Sequence, residues 1–220
     1  RYRRTTESNG LCMPELSAKK ARWSLALVLL AIVGVYARTL GYGYLPGFDD
    51  ELYLLNRPEV RDWWQASWYH RLLTPETGYS VAVPTVFYAA ARALSPEGFP
   101  QLLHGFNLGV HLVNVVLVYV LARRWVGRTW ALAVAAIWGL HPVNVETVAW
   151  LTNLKGLLFA SGTLATLLIW DRYLDGESGG SVDWGVIGAL LVVFALTLFS
   201  RPDAIIIPVL LVMQTFWRAE

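Results

Sequence analysis

The chain has 220 residues, of which 55% are hydrophobic and only 15% are charged. Soluble domains carry charge on about a quarter of their residues, so this composition excludes an ordinary soluble domain and indicates a membrane protein. The single cysteine, Cys12, excludes an internal disulfide. The formal net charge of +2 says little by itself, and no nucleic-acid partner is expected.

Six apolar segments are predicted to form transmembrane helices, because most of them approach the ~20 residues that cross the hydrocarbon core. The polar residues 1–20 are predicted to be a cytoplasmic tail, and residues 21–220 to be one transmembrane domain. The predicted fold is all-α, a polytopic bundle of about six spans. In chain order the predicted spans are 22–39, 101–121, 129–140, 154–173, 182–198 and 204–217.

Basic residues predict the orientation of the chain. Arginines and lysines precede the first span, and Arg123, Arg124 and Arg128 follow the second. Cytoplasmic loops carry such an excess of positive charge, so the N-terminus and the short basic loops are placed inside. Beyond these arginines, no cluster of ionisable groups is expected on the cytoplasmic side.

Residues 41–100 form a long polar stretch between the first two spans, and we predict that they lie outside the membrane. The stretch contains a tryptophan cluster and a segment over residues 79–94 that includes Pro84. We interpret both as helices lying in the membrane interface rather than crossing it. The tryptophans of the cluster are Trp63, Trp64 and Trp68.

Three carboxylates, Asp49, Asp50 and Glu51, directly follow the first span. Adjacent carboxylates repel one another unless a cation or a hydroxyl group lies between them. Asp49 or Asp50 could therefore take a proton from a hydroxyl group as a general base, and a divalent cation is a further option. The alternative is a solvated acidic loop.

His104, Asn107 and His111 are spaced so that they share one face of the second span. Hydrogen bonding between helices explains Asn107 and His111. His104 lies nearer the outer end and is the candidate binding residue of the three. A zinc site is not expected, because no carboxylate stands at ligand spacing.

The block His141 to Trp150 places ionisable groups between two apolar segments. Such groups usually face a protein interior or a water-filled cavity, and a broken backbone at this depth must line one. His141 and Glu146 are candidates for binding the hydroxyl groups of a substrate. The alternative is a capped helical turn in which Asn144 and Thr147 satisfy loose backbone groups.

Two cations, Lys155 and Arg201, are predicted at the outer ends of the fourth and fifth spans. Either side chain could simply extend to the lipid headgroups. Together they could hold an anionic group, since a phosphate in a medium of low dielectric constant needs fixed positive partners.

At these residues a family resemblance is visible over residues 22–217, carried by segments 98–125, 135–174 and 196–217. The chain resembles bacterial membrane proteins of the GT-C class, which are glycosyltransferases that use lipid-linked sugars and often carry tetratricopeptide repeats. These are similar to the animal transmembrane O-mannosyltransferases. The pattern His-x-x-Asn-x-x-x-His is met by His104, Asn107 and His111, the pattern His-Pro-x-x-x-Glu-x-Val-Ala-Trp by residues 141–150, and the acidic doublet by Asp49 and Asp50.

The resemblance implies transfer of a sugar from a polyprenyl-phosphate donor to a hydroxyl group of a protein or glycan, at the outer face of a bacterial cytoplasmic membrane. Asp49 or Asp50 would be the base, and Lys155 and Arg201 would hold the donor phosphate. The substrate-binding positions would include His104, His141 and Glu146. No organic cofactor is expected; a divalent cation stays an option.

The chain also departs from the family pattern. Tyr79-Ser80-Val81 stands where relatives have Tyr-Arg-Pro, and Asn153-Leu154-Lys155 replaces an arginine-lysine pair. Relatives also have helices beyond the sixth span. Two interpretations follow: the N-terminal portion of a longer enzyme, or a non-catalytic subunit of a larger membrane complex built on a reduced form of the fold.

Overall fold

The structure is a computed structural model, which describes residues 14–61, 81–176 and 183–219. Over these residues the regular structure is entirely helical, so the predicted all-α class is confirmed there. The predicted tryptophan cluster lies outside the described residues. The helices are α1 (Ala18–Tyr36), α2 (Pro58–Arg61), α3 (Ala82–Leu94), α4 (Phe99–Leu140), α5 (Asn144–Ala149), α6 (Leu154–Asp175), α7 (Trp184–Leu198) and α8 (Ile207–Ala219).

Three helical stretches in the described residues are long and apolar enough to cross a membrane. They are Ala18–Gly41, Phe99–Leu140 and Leu151–Asp175, with mean hydropathies of 1.9, 1.8 and 1.3. Helices α3 and α7 are apolar but shorter. The chain therefore has the helices of a membrane protein, and six spans stays a prediction.

Helix α4 is two antiparallel halves joined at Gly127. That glycine has a φ of 79° and a ψ of 173°, a conformation that side chains with a Cβ rarely adopt. The His111 ring stacks on Trp138 and its Nε2 lies 2.9 Å from the Gly139 carbonyl oxygen, which shows that the halves fold back on each other. The second predicted span therefore continues through Arg123 and Arg124 instead of ending at 121, because the backbone turns only at the glycine.

The segment before α1 packs on the Gly127 turn. The Glu15 carboxylate accepts a hydrogen bond of 2.9 Å from the Arg128 amide, and the Leu16 amide donates to Thr129 Oγ1 at 3.1 Å. The Ser17 hydroxyl then accepts from the Lys20 amide and caps α1. Helix α1 thus begins at Ala18, four residues before the prediction.

The core of the bundle lies between α1 and the two halves of α4. Ile32 is fully buried there against Val115, and both side chains press on Gly139, where an added Cβ would lie 2.6 Å from Ile32 Cδ1. A second core forms at the other end of the bundle, where α3 and the start of α4 pack on the start of α6. Its members include Tyr88, Phe99, Leu103, Leu151 and Leu154.

The Gly127 end of the bundle holds an ion cluster that the sequence analysis did not predict. The fully buried Asp171 pairs with Arg124 and accepts hydrogen bonds from Trp125 Nε1 at 3.3 Å and from Gln214 Nε2 at 3.2 Å. Arg218 reaches the same carboxylate at 3.6 Å. The sequence analysis expected no such cluster among these residues. It forms because the first half of α4, helix α6 and helix α8 all end at this place, and a buried charge requires such partners.

Helices α6 and α7 approach closely at Gly162. A Cβ added to this glycine would overlap with Thr197 Oγ1 and lie 2.8 Å from Thr197 Cβ. The Thr197 hydroxyl is already held by the Val193 carbonyl oxygen of its own helix at 2.6 Å. Small residues allow such close approach of helices in membranes, so Gly162 is required by packing.

We expect Gly162→Ala to lower the free energy of unfolding by about 1–3 kcal/mol, because the added methyl group must displace Thr197. Gly34→Ala is the matched control, since a Cβ on Gly34 of α1 meets no atom within 4 Å. Unfolding in detergent micelles, followed by circular dichroism, compares the two variants. Equal stability of both would contradict the close approach of α6 and α7.

Candidate functional site

The block His141–Trp150 breaks the helical path between two apolar segments. Helix α4 ends at Leu140, the six residues of α5 follow from Asn144, and a tight turn over Leu151–Asn153 leads into α6. The backbone carbonyls at such a break lack helical partners. Leaving one carbonyl without a hydrogen bond in an apolar medium costs roughly several kcal/mol of free energy.

One side chain supplies the missing hydrogen bonds. Asn107 Nδ2, fully buried in α4, lies 2.8 Å from the Trp150 carbonyl oxygen, 3.3 Å from that of Val148 and 3.4 Å from that of Leu151. An amide with two donors can serve such a group of acceptors. Asn107 therefore holds the broken segment against α4.

The other polar residues on this face of α4 also join helices. His111 contacts the Gly139 carbonyl oxygen, and Asn114 Nδ2 donates to the Leu157 carbonyl oxygen at 2.9 Å. The Ser161 hydroxyl donates to Asn114 Oδ1 at 2.6 Å. Asn114 continues the predicted polar face by one more position, and the sequence analysis missed it although its spacing from His111 is helical.

A cavity of about 690 Å³ lies between residues 41–50 and the broken segment. Asp50 and Glu146 are the charged residues that line it, and the rings of Phe48 and Trp150 meet edge to face there with centroids 6.3 Å apart. The two acids come from parts of the sequence almost a hundred residues apart. The fold thus brings the acidic doublet and the His141–Trp150 block together.

Asp50 is buried, with 1% of its surface exposed, and it binds backbone on two sides. Its Oδ2 accepts from the Leu45 amide at 2.9 Å and its Oδ1 from the Thr152 amide at 3.4 Å. The Tyr88 hydroxyl donates to the carbonyl oxygen of the same Thr152 at 2.9 Å. Asp50 and Tyr88 therefore fix the turn that precedes α6.

Tyr88 was not predicted as a site residue. Burial raises the pKa of its hydroxyl well above the ordinary value, and the nearby Asp50 carboxylate raises it further, whereas Arg57 lowers it. The hydroxyl therefore remains a proton donor to Thr152. Arg57 is buried as well, with 4% exposed, and its charge acts on the Tyr88 hydroxyl. Neither residue carries a recognisable motif, so only the fold identifies them.

Asp49 has a different environment from its neighbour. Its Oδ2 lies 2.8 Å from Lys155 Nζ at the start of α6, and its side chain is 37% exposed whereas that of Lys155 is 13% exposed. The ammonium group also lies 4.6 Å from the centre of the Tyr53 ring, within cation–π range. The exposed carboxylate and its cation thus form a partly solvated pair.

Arg201 lies at the same end of α6. Its Nη1 is 3.4 Å from the position that a Cβ on Gly156 would occupy, and its guanidinium group pairs with Asp203. Of the two predicted phosphate-binding cations, Lys155 therefore belongs to the first turn of α6, and Arg201 lies against that turn.

The two predicted histidines lie outside the cavity lining. His104 is buried, its ring stands edge-on to Tyr42, and its nitrogens face the Tyr42–Gly43 backbone without hydrogen bonds of ordinary geometry. His141 is exposed and accepts from the Val143 amide at 3.2 Å, while Asn144 Nδ2 donates to the Trp138 carbonyl oxygen at 2.6 Å. These contacts are those of a capped helical turn.

This geometry can be set beside known proteins. The chain is similar to an animal O-mannosyltransferase. It is 30% identical over 196 residues to the protein O-mannosyl-transferase Tmtc2 of Drosophila melanogaster. The similarity covers 83% of this chain but 20% of the relative, so the chain spans about one fifth of that protein. No protein-family model and no solved structure matches the chain.

The similarity supports a distant relationship to this relative. Within the described residues, no group of three or more metal-ligating side chains is placed to hold an ion. The candidate site therefore consists of acids, two cations and a cavity.

We expect Asn107→Leu to destabilise the protein by about 1–3 kcal/mol, because it leaves buried carbonyls of residues 148–151 without a donor. Gln101→Leu is the matched control, because it also replaces an amide side chain of α4 by leucine, but at an exposed position. Thermal unfolding in detergent micelles measures both variants. A loss no greater for Asn107 than for Gln101 would show that the broken segment is held by other contacts.

Proposed function

We propose that the chain forms the membrane portion of a glycosyltransferase that moves a sugar from a polyprenyl-phosphate donor to a hydroxyl group of a protein or glycan. The observation that carries the proposal is the Asp49–Lys155 pair, a carboxylate that is 37% exposed and lies 2.8 Å from a cation. Neither residue lines the cavity, but the neighbouring Asp50 does, together with Glu146. The Asp49–Lys155 pair combines the two groups that the reaction needs, a proton acceptor and an anion partner.

In this mechanism the acceptor hydroxyl attacks the anomeric carbon of the donor sugar. A new bond forms between the hydroxyl oxygen and that carbon, and the bond from the carbon to the phosphate oxygen breaks with its electron pair staying on the phosphate. Asp49 takes the proton of the hydroxyl as general base. Lys155 and Arg201 stabilise the charge on the departing lipid phosphate.

The environments of the two acids assign their roles. Both oxygens of Asp50 accept backbone hydrogen bonds, and the residue is buried. Asp49 is more accessible and bonds to the Lys155 side chain rather than to the backbone. We therefore assign Asp49 as the base and Asp50 as the residue that positions it. Glu146 lines the cavity and would accept hydrogen bonds from substrate hydroxyls.

The same proposal includes the location of the protein. With six spans and a cytoplasmic N-terminus, which the basic residues near the Gly127 end favour, the site would lie at the outer face of a bacterial cytoplasmic membrane. His104, behind the Tyr42 ring, would reach a substrate only after that ring moves, and His141 would act from outside the cavity. A protein or glycan acceptor would approach from the same side.

A second function has an observation in its favour. Lys155 and Arg201 are each paired with a carboxylate of this chain, so the pairs also serve as ties between segments. This favours a non-catalytic subunit of a larger membrane complex. The two functions differ in whether loss of Asp49 removes activity or only stability.

We expect Asp49→Asn to lower sugar transfer by about 100-fold or more, the usual contribution of a general base, with little change in thermal stability. Asp50→Asn should lower the unfolding temperature, since one backbone amide loses its acceptor. The assay uses the longest chain that the gene encodes, a polyprenyl-phosphate mannose donor and a serine- and threonine-rich peptide.

Glu51→Gln is the control for these variants, because it removes a neighbouring charge and keeps the oxygen that accepts from the Gly47 amide. It should transfer sugar at the rate of the unchanged protein. Full transfer by the Asp49 variant would exclude this residue as the base. Stable, purified protein that transfers no sugar to any acceptor would favour the non-catalytic subunit.

A further inference from the structure

We propose that the Asp49–Lys155 ion pair exchanges partners when the donor binds: the donor phosphate takes Lys155, and Asp49 is thereby released to act as the base. The inference deepens the proposed function and rests on it for the identity of the anion. It makes Asp49 both a competitor of the phosphate and the group that the phosphate activates.

The geometry of the pair is the first argument. One Asp49 oxygen lies 2.8 Å from Lys155 Nζ, within range of a strong charge-assisted hydrogen bond. That bond occupies the Asp49 oxygen closest to the cation. A carboxylate has lone pairs to spare, so a hydroxyl group could still donate to Asp49 in the pair, but the negative charge of the carboxylate is then balanced by the ammonium group until Lys155 turns to another anion. A phosphate provides such an anion without leaving the mostly buried ammonium group unpaired.

The position of Lys155 is the second argument. It is the second residue of α6, and the first turn of this helix contains no acidic residue. The start of a helix favours anions and disfavours cations, so a lysine there depends on an anion from elsewhere. Asp49 provides it from a segment far away in sequence, and its 37% exposure leaves a path for a replacement.

The third argument is that the neighbouring cation follows the same pattern. Arg201 lies against Gly156 of the same turn and pairs with Asp203. Its pair is more exposed, at 42% for the arginine and 57% for the aspartate. An exposed pair is weaker, so displacement of Asp203 requires less free energy than displacement of Asp49. Both carboxylates compete with a phosphate for these cations.

The exchange predicts that loss of the base tightens binding of the phosphate. We expect Asp49→Asn to strengthen binding of a short-chain polyprenyl phosphate by about three- to tenfold, the range of a partly exposed ion pair. Asp203→Asn should strengthen it less. Lys155→Met should weaken it by about tenfold or more, and the double variant Asp49→Asn with Lys155→Met should bind like Lys155→Met alone.

The measurement is the dissociation constant of the polyprenyl phosphate for the longest chain that the gene encodes, in detergent micelles. Glu51→Gln is the matched control, because it removes a negative charge of the same segment that has no contact with Lys155 in the described structure. The affinity of the Glu51→Gln variant shows how much the loss of one nearby negative charge strengthens phosphate binding without any direct contact. Inorganic phosphate in a parallel titration separates recognition of the phosphate from recognition of the lipid. Lys155→Arg and the thermal unfolding of each variant control for folding.

The outcomes separate the two proposals. If Lys155→Met loses binding but Asp49→Asn gains no more than Glu51→Gln, the exchange is wrong and the phosphate site of the proposed function stands. If Lys155→Met binds as well as the unchanged protein while its unfolding is normal, Lys155 is not a phosphate ligand, and both proposals are wrong at this residue. Tighter binding by Asp49→Asn that disappears in the double variant supports the exchange.

Discussion

The hydrogen bonds from Asn107 to the carbonyls of residues 148–151 are the constraint on which the rest of the structure depends. A helix satisfies its own backbone, whereas a break in an apolar environment exposes carbonyls that must find donors. Asn107 provides them from within α4. The turn that follows is then fixed closely enough for Thr152 to bind Asp50 with its amide and Tyr88 with its carbonyl oxygen.

This turn explains how two adjacent acids come to have different environments. Asp50 points to the backbone of the turn and is buried. Asp49 points to Lys155, in the first turn of the helix that follows, and remains accessible. The division follows from the direction of neighbouring side chains on a short helical turn rather than from any difference between the residues. A positioning acid and a reactive acid can thus be supplied by one dipeptide.

The two ends of the bundle are held in different ways. At the Gly127 end, Asp171 gathers Arg124, Trp125 and Gln214, so that three helices are joined through a buried charge. At the opposite end the cations pair with carboxylates that are partly exposed, and a cavity lies between the segments.

The helical class and most helix positions could be predicted from the sequence, because long apolar runs and the need to pair backbone groups leave few alternatives in a membrane. The helix ends were less accurate: Ser17 and Gly127 set two of them through local hydrogen bonding and a positive φ, which hydropathy does not measure. Asp49, Asp50, Glu146, Lys155 and Arg201 were selected by residue type and order. Arg57, Tyr88 and Asn114 were missed, since each has a meaning only through its neighbours in space.

The sequence by itself therefore determined an all-helical membrane protein with ionisable groups between its apolar segments. Only the tertiary structure decided which of those groups meet: Asp49 with Lys155, Asp50 with Thr152, Glu146 with the cavity, and His104 behind Tyr42. The physical reason is the difference between distance along the chain and distance in space. Hydropathy and helical spacing act over a few residues along the chain, whereas an ion pair depends on distances of about 3 Å between segments that are a hundred residues apart.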